Sequence, residues 1–289
     1  MLRKVNAIAA AAVMAAGGGG ALTAQAAQAA QAVAVPCSTQ TLVSALASAS
    51  PGATLSLAAG CVYTLTAALP QVSQDLSITG NRATLQRSYA AGTPAFTILT
   101  VAGSGILTVS DLNFRHGGGA IAVIDEGQLT VNGGTFTGNA AANGGAIYSN
   151  TSGTNFYAPQ INNATFIRNT ATGNGGAIYS YSFQNSVYVT GSVFTGNKAA
   201  DGGAIWDYGM GGGISGSTFR RNSAGAGGAL WFSELFNESL AGVVIRHNSA
   251  SGDGGGIYNY AGGSGVDIDD STVSGNHAGG LVRQSPVGF

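Results

Sequence analysis

A short pair of motifs recurs along the second half of the chain and limits the folds that it can adopt. Four copies of a Phe-x-x-Asn element, and two copies with an aliphatic first residue, occur at Phe136–Asn139, Phe166–Asn169, Phe194–Asn197, Phe219–Asn222, Ile245–Asn248 and Val273–Asn276. A Gly-Gly-x-aliphatic element follows five or six residues after each of the first five, beginning at Gly144, Gly175, Gly202, Gly227 and Gly254. Successive Asn residues are 30, 28, 25, 26 and 28 residues apart, a period of about 27. Two motifs that stay in phase over six copies indicate a repeat architecture.

A unit of this length, with these residues, predicts a solenoid of short strands. Segments such as Val187–Thr190 and Val266–Asp269 have apolar residues at every second position, which is the period of a strand. Pro159 is the only proline between residues 95 and 285, so strand hydrogen bonds can continue from coil to coil. Leucine-rich repeats have a similar length and an Asn ladder, but residues 136–289 contain only four Leu. The prediction is therefore three short strands and three corners per coil, with coils about 4.8 Å apart.

Stacking in register gives each motif residue a structural role. The Phe residues are expected to form one internal column and the aliphatic residues of the Gly-Gly element a second. Gly-Gly allows a turn with positive φ. Each Asn is expected at a corner, in a left-handed backbone conformation, with its amide bonded to the Asn of the next coil. The predicted ladder contains Asn139, Asn169, Asn197, Asn222, Asn248 and Asn276.

Phe-x-x-Asn followed by Gly-Gly-Ala-Ile resembles the repeat pair of the polymorphic outer membrane proteins of bacteria. More broadly, it resembles secreted right-handed parallel β-helix proteins of the pectate-lyase-like class. The repeats cover residues 114–282, and residues 52–114 are similar to the opening coils of such proteins. The resemblance implies an all-β fold, a single-stranded right-handed parallel β-helix (solenoid) over residues 33–289. It is specific for fold and says little about chemistry, and the autotransporter barrel of polymorphic outer membrane proteins has no counterpart before residue 289.

The N-terminus has the pattern of an export signal. Arg3 and Lys4 precede an apolar, Ala-rich stretch and a series of A-x-A sites, so residues 1–32 are predicted to be a signal peptide cleaved between residues 26 and 32. Export predicts a secreted or cell-surface bacterial protein, and it favours a disulfide between Cys37 and Cys61, the only two cysteines. Residues 37–52 are expected to form an N-terminal capping helix, with Ser38 or Thr39 as N-cap.

The composition and the C-terminal segment of the chain provide information about its binding partners. Only 8% of the residues are charged and the net charge is −1, which argues against a nucleic-acid partner. Beyond the N-terminus no apolar run is long enough to span a membrane. Residues 277–289 contain no predicted cap, so this edge is either poorly protected or a surface for self-association or for another chain.

Catalytic groups are sparse. The pectate-lyase-like resemblance implies clustered carboxylates that bind Ca²⁺, with a basic residue as proton acceptor. Asp267 and Asp269 form the best candidate, a same-face pair on one strand, and the alternative is a solvated outer face. No ligand spacing links the three His residues, so no metal site is predicted, and Ca²⁺ is the one cofactor considered.

One feature exceeds what the fold requires. Aromatic residues directly follow the inward aliphatic in five coils, and three more occur two positions later. The first set is Tyr148, Tyr179, Trp206, Trp231 and Tyr258, and the second is Tyr181, Tyr208 and Tyr260. We call these eight residues the aromatic strip and expect it on the outer surface, where it either binds a polysaccharide or stabilises the sheet by stacking. The chain is thus predicted to be an exported, non-catalytic adhesion, binding or structural module, with a polysaccharide lyase or glycoside hydrolase as the alternative.

Overall fold

Three parallel sheets of ten, nine and seven strands form the walls of a solenoid with about nine turns, and most coils contribute one strand to each sheet. The computed structural model describes residues 32–151, 157–182, 185–233, 238–260 and 265–279. Sheet 1 consists of Val33–Val35, Ala53–Leu57, Leu76–Thr79, Ile106–Ser110, Gln128–Asn132, Gln160–Asn162, Tyr188–Thr190, Gly213–Ser215, Glu238–Ala241 and Val266–Asp269. Sheet 2 consists of Val62–Leu65, Thr84–Arg87, Asn113–Arg115, Thr135–Thr137, Thr165–Ile167, Val193–Thr195, Thr218–Arg220, Val244–Arg246 and Thr272–Ser274. Sheet 3 consists of Leu99–Val101, Ile121–Ile124, Ile147–Asn150, Ile178–Tyr181, Ile205–Tyr208, Leu230–Phe232 and Ile257–Asn259.

Two small sheets occupy the corner between sheets 2 and 3. One pairs Ala140–Ala141 with Thr170–Ala171, and the other joins Ser223–Ala224, Ser249–Ala250 and His277–Ala278. The chain therefore runs from sheet 1 through sheet 2 and this corner to sheet 3, and then returns to sheet 1. This topology confirms the predicted all-β solenoid.

Like residues lie on like residues inside the solenoid. Phe136 pairs in register with Phe114 and Phe166, and the column continues through the later motif copies. The five Phe rings are fully buried and nearly parallel, with centroids 4.7–5.0 Å apart. Buried aliphatic columns on sheets 1 and 3 complete the core, so the predicted internal columns are confirmed.

The Asn ladder is also confirmed. Each Asn Nδ2 donates to the Oδ1 of the next Asn over 2.9–3.0 Å, from Asn139 to Asn276. The same Oδ1 accepts the backbone N–H of the preceding Asn, and Nδ2 also bonds the carbonyl of the preceding coil's Phe or Ile column. Because the first five side chains are at most 1% exposed, these bonds satisfy amides that water cannot reach.

The predicted backbone conformation of the ladder Asn residues is wrong. Positive φ occurs one residue earlier, at Gly138, Arg168, Gly196, Arg221, His247 and Gly275, with values of 51–66°. The preceding residue makes the left-handed turn, and the Asn itself directs its amide into the solenoid, where the ladder forms. An Asn at the turn position would have its side chain at the surface.

The two residues of the Gly-Gly element meet different constraints. Gly144 has a φ of 58°, a conformation that side chains with a Cβ rarely adopt. A Cβ on Gly145 would lie 2.4 Å from the carbonyl oxygen of Gly176 in the next coil. The first glycine is thus needed for the turn and the second for close packing between coils.

The N-terminal end is covered as predicted. Helix α1, Thr39–Ala47, begins after Ser38, whose hydroxyl accepts a hydrogen bond from the backbone N–H of Thr41. Its Leu42 and Leu46 are buried against the first coil. The predicted disulfide joins Cys37 to Cys61 beside this helix. The predicted signal peptide lies outside the described residues, except for residue 32.

At the C-terminal end, the last described coil leaves part of the core accessible. Ile268 continues the column of Leu240 and is 46% exposed, and Val273 continues the Phe column and is 47% exposed. Residues 280–289 lie outside the described residues, so self-association through this edge stays a prediction. In the part of the chain that is described, no helix has the length and apolar character to cross a membrane.

We predict that Phe166→Ala lowers the free energy of unfolding by about 3–5 kcal/mol, because it leaves a cavity in a stacked column. Ile167→Ala on the same strand removes a half-buried outward side chain and should cost much less. Chemical denaturation monitored by circular dichroism measures both. Equal losses would contradict the internal position of Phe166.

Asn197→Ala should lower the free energy of unfolding by about 3 kcal/mol, because it leaves the buried N–H groups of Asn169 without their acceptor. The matched control is Asn162→Ala, which removes an Asn–Asn bond of 3.0 Å at the exposed surface. Thermal and urea unfolding should show a small effect for this control. A ladder variant as mild as the surface variant would mean that the ladder contributes little.

Candidate functional site

The aromatic strip forms a continuous stack on the outer face of sheet 3. Tyr148 and Tyr179 have ring centroids 5.2 Å apart, Tyr179 and Trp206 4.6 Å, and Trp206 and Trp231 4.8 Å, all within 13° of parallel. The step from Trp231 to Tyr258 widens to 6.3 Å and 26°. Because the preceding Ile or Leu of each strand points inward, strand alternation places these rings outside.

The three tyrosines two positions later form the second column of the strip. Tyr181 stacks on Tyr208 at 4.9 Å, and Tyr208 lies beside Trp206 at 6.3 Å. Tyr260 lies beside Trp231 at 6.1 Å and is 67% exposed. The second column is interrupted at the coil of Trp231, which has Ser233 at this position.

The stacking decides which parts of the rings a ligand can reach. Both faces of Trp206 are covered by neighbouring rings, and its side chain is only 8% exposed. The stacked part of the strip thus presents ring edges and tyrosine hydroxyls to solvent. Burial, together with Tyr148 and Tyr181 nearby, raises the pKa of Tyr179 to about 12, so this hydroxyl is a hydrogen-bond donor at neutral pH.

A second group of polar residues, not predicted from the sequence, is buried where sheet 3 returns to sheet 1. Asp207 is 1% exposed and accepts the backbone N–H of Val187 at 3.3 Å. Glu238 is also 1% exposed and accepts the backbone N–H of Gly212 at 3.2 Å. We call this group, with Ser180, Ser182 and Ser186, the buried polar corner.

Strand alternation in the sequence indicates that Asp207 is buried. Ile205 points inward, so Asp207, two residues later, must do so as well, in register with Ser180. Glu238 has no such local signal, because the number of residues between a strand of sheet 3 and the next strand of sheet 1 differs from coil to coil. Gly212, whose backbone N–H bonds Glu238, packs closely at this corner, since a Cβ there would lie 2.3 Å from Ser186 Cβ and 3.1 Å from Glu238 Oε2.

Burial raises the pKa of the Glu238 carboxyl above its ordinary value, and the Ser186 hydroxyl and the Gly212 N–H only partly oppose this shift. The Ser186 hydroxyl lies beside the carboxyl without meeting hydrogen-bond geometry, and the hydroxyls of Ser180 and Ser182 are likewise buried without a partner among the described residues. Burial in this corner therefore favours the protonated, neutral form of the Glu238 carboxyl.

The Asp267 and Asp269 pair lies on the last described strand of sheet 1. Both carboxylates are exposed, and their register partners in the preceding coil are Ser239 and Ala241. His116 and His247 each occupy the left-handed corner position of their coils, and His277 lies in another column. Among the described residues, no group of three or more His, Cys, Asp or Glu side chains could hold a metal ion.

We predict that Glu238→Gln stabilises the protein at neutral pH. A carboxyl with a raised pKa in the folded state contributes stability that is complete below its unfolded value and is lost as the pH rises through the folded value. The melting temperature of the variant relative to the native protein should therefore increase as the pH rises from about 4, near the ordinary pKa of a glutamate, to neutral. Parallel melting curves would mean that the Glu238 carboxyl is not desolvated.

Comparison with known proteins agrees with the geometry of the coils. The chain matches a family described as right handed beta helix region over residues 97–276, which is more than half of its length and includes the aromatic strip and the Asn ladder. A search of curated proteins finds no match. On the strength of this match and of the three-walled parallel solenoid, the chain belongs to the right-handed β-helix family.

Proposed function

We propose that the protein is an exported bacterial β-helix that acts as a non-catalytic binding module, with polysaccharide as the ligand of the aromatic strip. The observation that carries the proposal is the distribution of aromatic residues within sheet 3. The outward position that holds Tyr148 holds Thr100 and Ala122 in the two preceding coils, where the same sheet forms without rings. The fold therefore does not require aromatic side chains at this position.

The geometry of the strip suits an elongated, hydroxyl-rich ligand. Tyrosine hydroxyls and indole N–H groups repeat along the axis at the coil spacing, and the ring edges between them are apolar. A sugar chain lying along the strip would gain hydrogen bonds at successive coils, together with apolar contacts. Asn150 Nδ2, which bonds the Tyr148 hydroxyl at 3.1 Å, orients one of these groups.

Export is supported by the signal pattern and by the cysteines. A disulfide between Cys37 and Cys61 is typical of proteins from oxidising compartments. Together with the Arg3–Lys4 start and the A-x-A sites, it favours a secreted or cell-surface location, where a polysaccharide or another surface component is the available partner.

The test is a titration of intrinsic fluorescence with a panel of neutral plant and microbial polysaccharides, since both tryptophans belong to the strip. We expect a saturable change with at least one glycan. Tyr260→Ala should weaken that binding about tenfold, which corresponds to about 1.4 kcal/mol. Tyr89→Ala, equally exposed at 68% but outside the strip, is the matched control. No response to any glycan, or equal effects of the two variants, would remove the proposal.

The same titration separates the binding module from a lyase or hydrolase. The proposal assigns no role to Asp267 and Asp269 and no need for Ca²⁺, so Asp267→Asn combined with Asp269→Asn should leave the affinity unchanged. Incubation with the bound glycan should release no unsaturated or shortened product, with or without Ca²⁺. Product that disappears in the double variant would favour the enzyme instead.

A further inference from the structure

The register of the coils brings most of the cations to one edge of the solenoid. Arg220 and Arg246 are direct neighbours on the outer face of sheet 2. Arg168 and Arg221 occupy the left-handed corner position next to that face. Lys198 follows at the small-sheet corner, in the column of Ser223 and Ser249. We call Arg168, Lys198, Arg220, Arg221 and Arg246 the cationic edge.

This edge concentrates positive charge in a chain that has few charged residues. The described residues contain eight Lys and Arg side chains, and the five of the cationic edge are all exposed. The column of Arg220 continues with Thr195, Ile167 and Ser274, and that of Lys198 with Thr170 and His277, so neither contains a carboxylate. Asp201 lies three residues after Lys198, but its carboxylate accepts the backbone N–H of Ala226 at 3.1 Å.

An open groove runs along the same edge. It has a volume of about 570 Å³, and Lys198 and His277 lie at its two ends. The residues that line it between these ends are all small, and Ser223, Ser249 and Ser251 are among them. From Lys198 to His277 the groove crosses three coil steps, about 14 Å.

We propose that the cationic edge and this groove bind an anionic glycan, one whose sugars carry carboxylate or sulfate groups. Guanidinium groups pair with such anions through two parallel hydrogen bonds, and the serines and other small residues that line the groove suit a hydroxyl-rich chain. The chain lies along the solenoid axis, with its acid groups against Arg220, Arg221 and Arg246 and its sugar rings in the groove.

The arrangement is unfavourable without a counter-charge. Arg220 and Arg246 are adjacent on paired strands, where like charges repel each other, and Arg221 follows Arg220 directly in the chain. A bound polyanion removes this repulsion, so the free energy of binding includes a contribution that a neutral glycan cannot supply. This site uses different residues from the aromatic strip and does not depend on the proposed function.

A glycan fits the edge better than a nucleic acid does. The net charge of the whole chain is −1, and the cations form a narrow line rather than a broad basic surface. Duplex binding calls for many phosphate contacts spread over a wide face. One anionic sugar chain needs only a groove one chain wide.

The experiment titrates the full-length protein, by calorimetry at physiological salt, with polygalacturonate, heparin, neutral dextran, duplex DNA and phosphatidylserine vesicles. We expect binding to at least one of the two anionic glycans, weakening as salt is added. Arg220→Gln combined with Arg246→Gln should reduce that affinity at least tenfold, and Arg82→Gln, an exposed arginine at another corner, should not change it.

Thermal unfolding provides the control for folding of the double variant. Since it removes two repelling charges, its melting temperature should equal or exceed that of the native protein, and a folded variant with lost affinity supports the site. Unchanged affinity, dextran binding that the double variant also weakens, or tighter binding of DNA or vesicles would each overturn the proposal. Absence of binding to both anionic glycans would do the same.

Discussion

The constraint on which this structure depends is the in-register pairing of each coil with the next. It places every side chain about one strand spacing from its equivalent, so a residue type that packs well against itself is favoured at an interior position. Phe meets this condition by stacking at 4.7–5.0 Å. Asn meets it because its amide both donates and accepts, and Asn139 through Asn276 can therefore be linked without water.

Features set by this self-pairing could be predicted from the sequence. The motif period identified the Phe column and the Asn ladder, and local patterns identified helix α1 with its Ser38 cap and the Cys37–Cys61 bond. The turn conformation was assigned to the wrong residue, although Gly138, Gly196 and Gly275 mark the correct position. There Arg168, Arg221 and His247 replace glycine in the other copies, which concealed the signal.

Features that depend on the return loops between sheets 3 and 1 could not be predicted. These loops differ in length from coil to coil, so the repeat does not specify which residue enters the interior after them. Glu238 enters the interior at such a position, where its carboxyl accepts the backbone N–H of Gly212. The orientation of the aromatic rings could not be predicted either. Strand alternation indicates that they lie on the outer face, but not whether a ring presents its face or its edge to solvent.

The outward positions explain why function is best sought in the aromatic strip and the cationic edge. At one outward column of sheet 2 the coils accept Thr137, Ile167, Thr195 and Arg220 in succession, so the fold is indifferent to the residue there. Self-pairing that favours Phe and Asn inside is unfavourable for arginine outside, because aligned guanidinium groups repel. Stability therefore accounts for the columns of the interior but not for the row of cations, and this difference is the reason for proposing an anionic partner there.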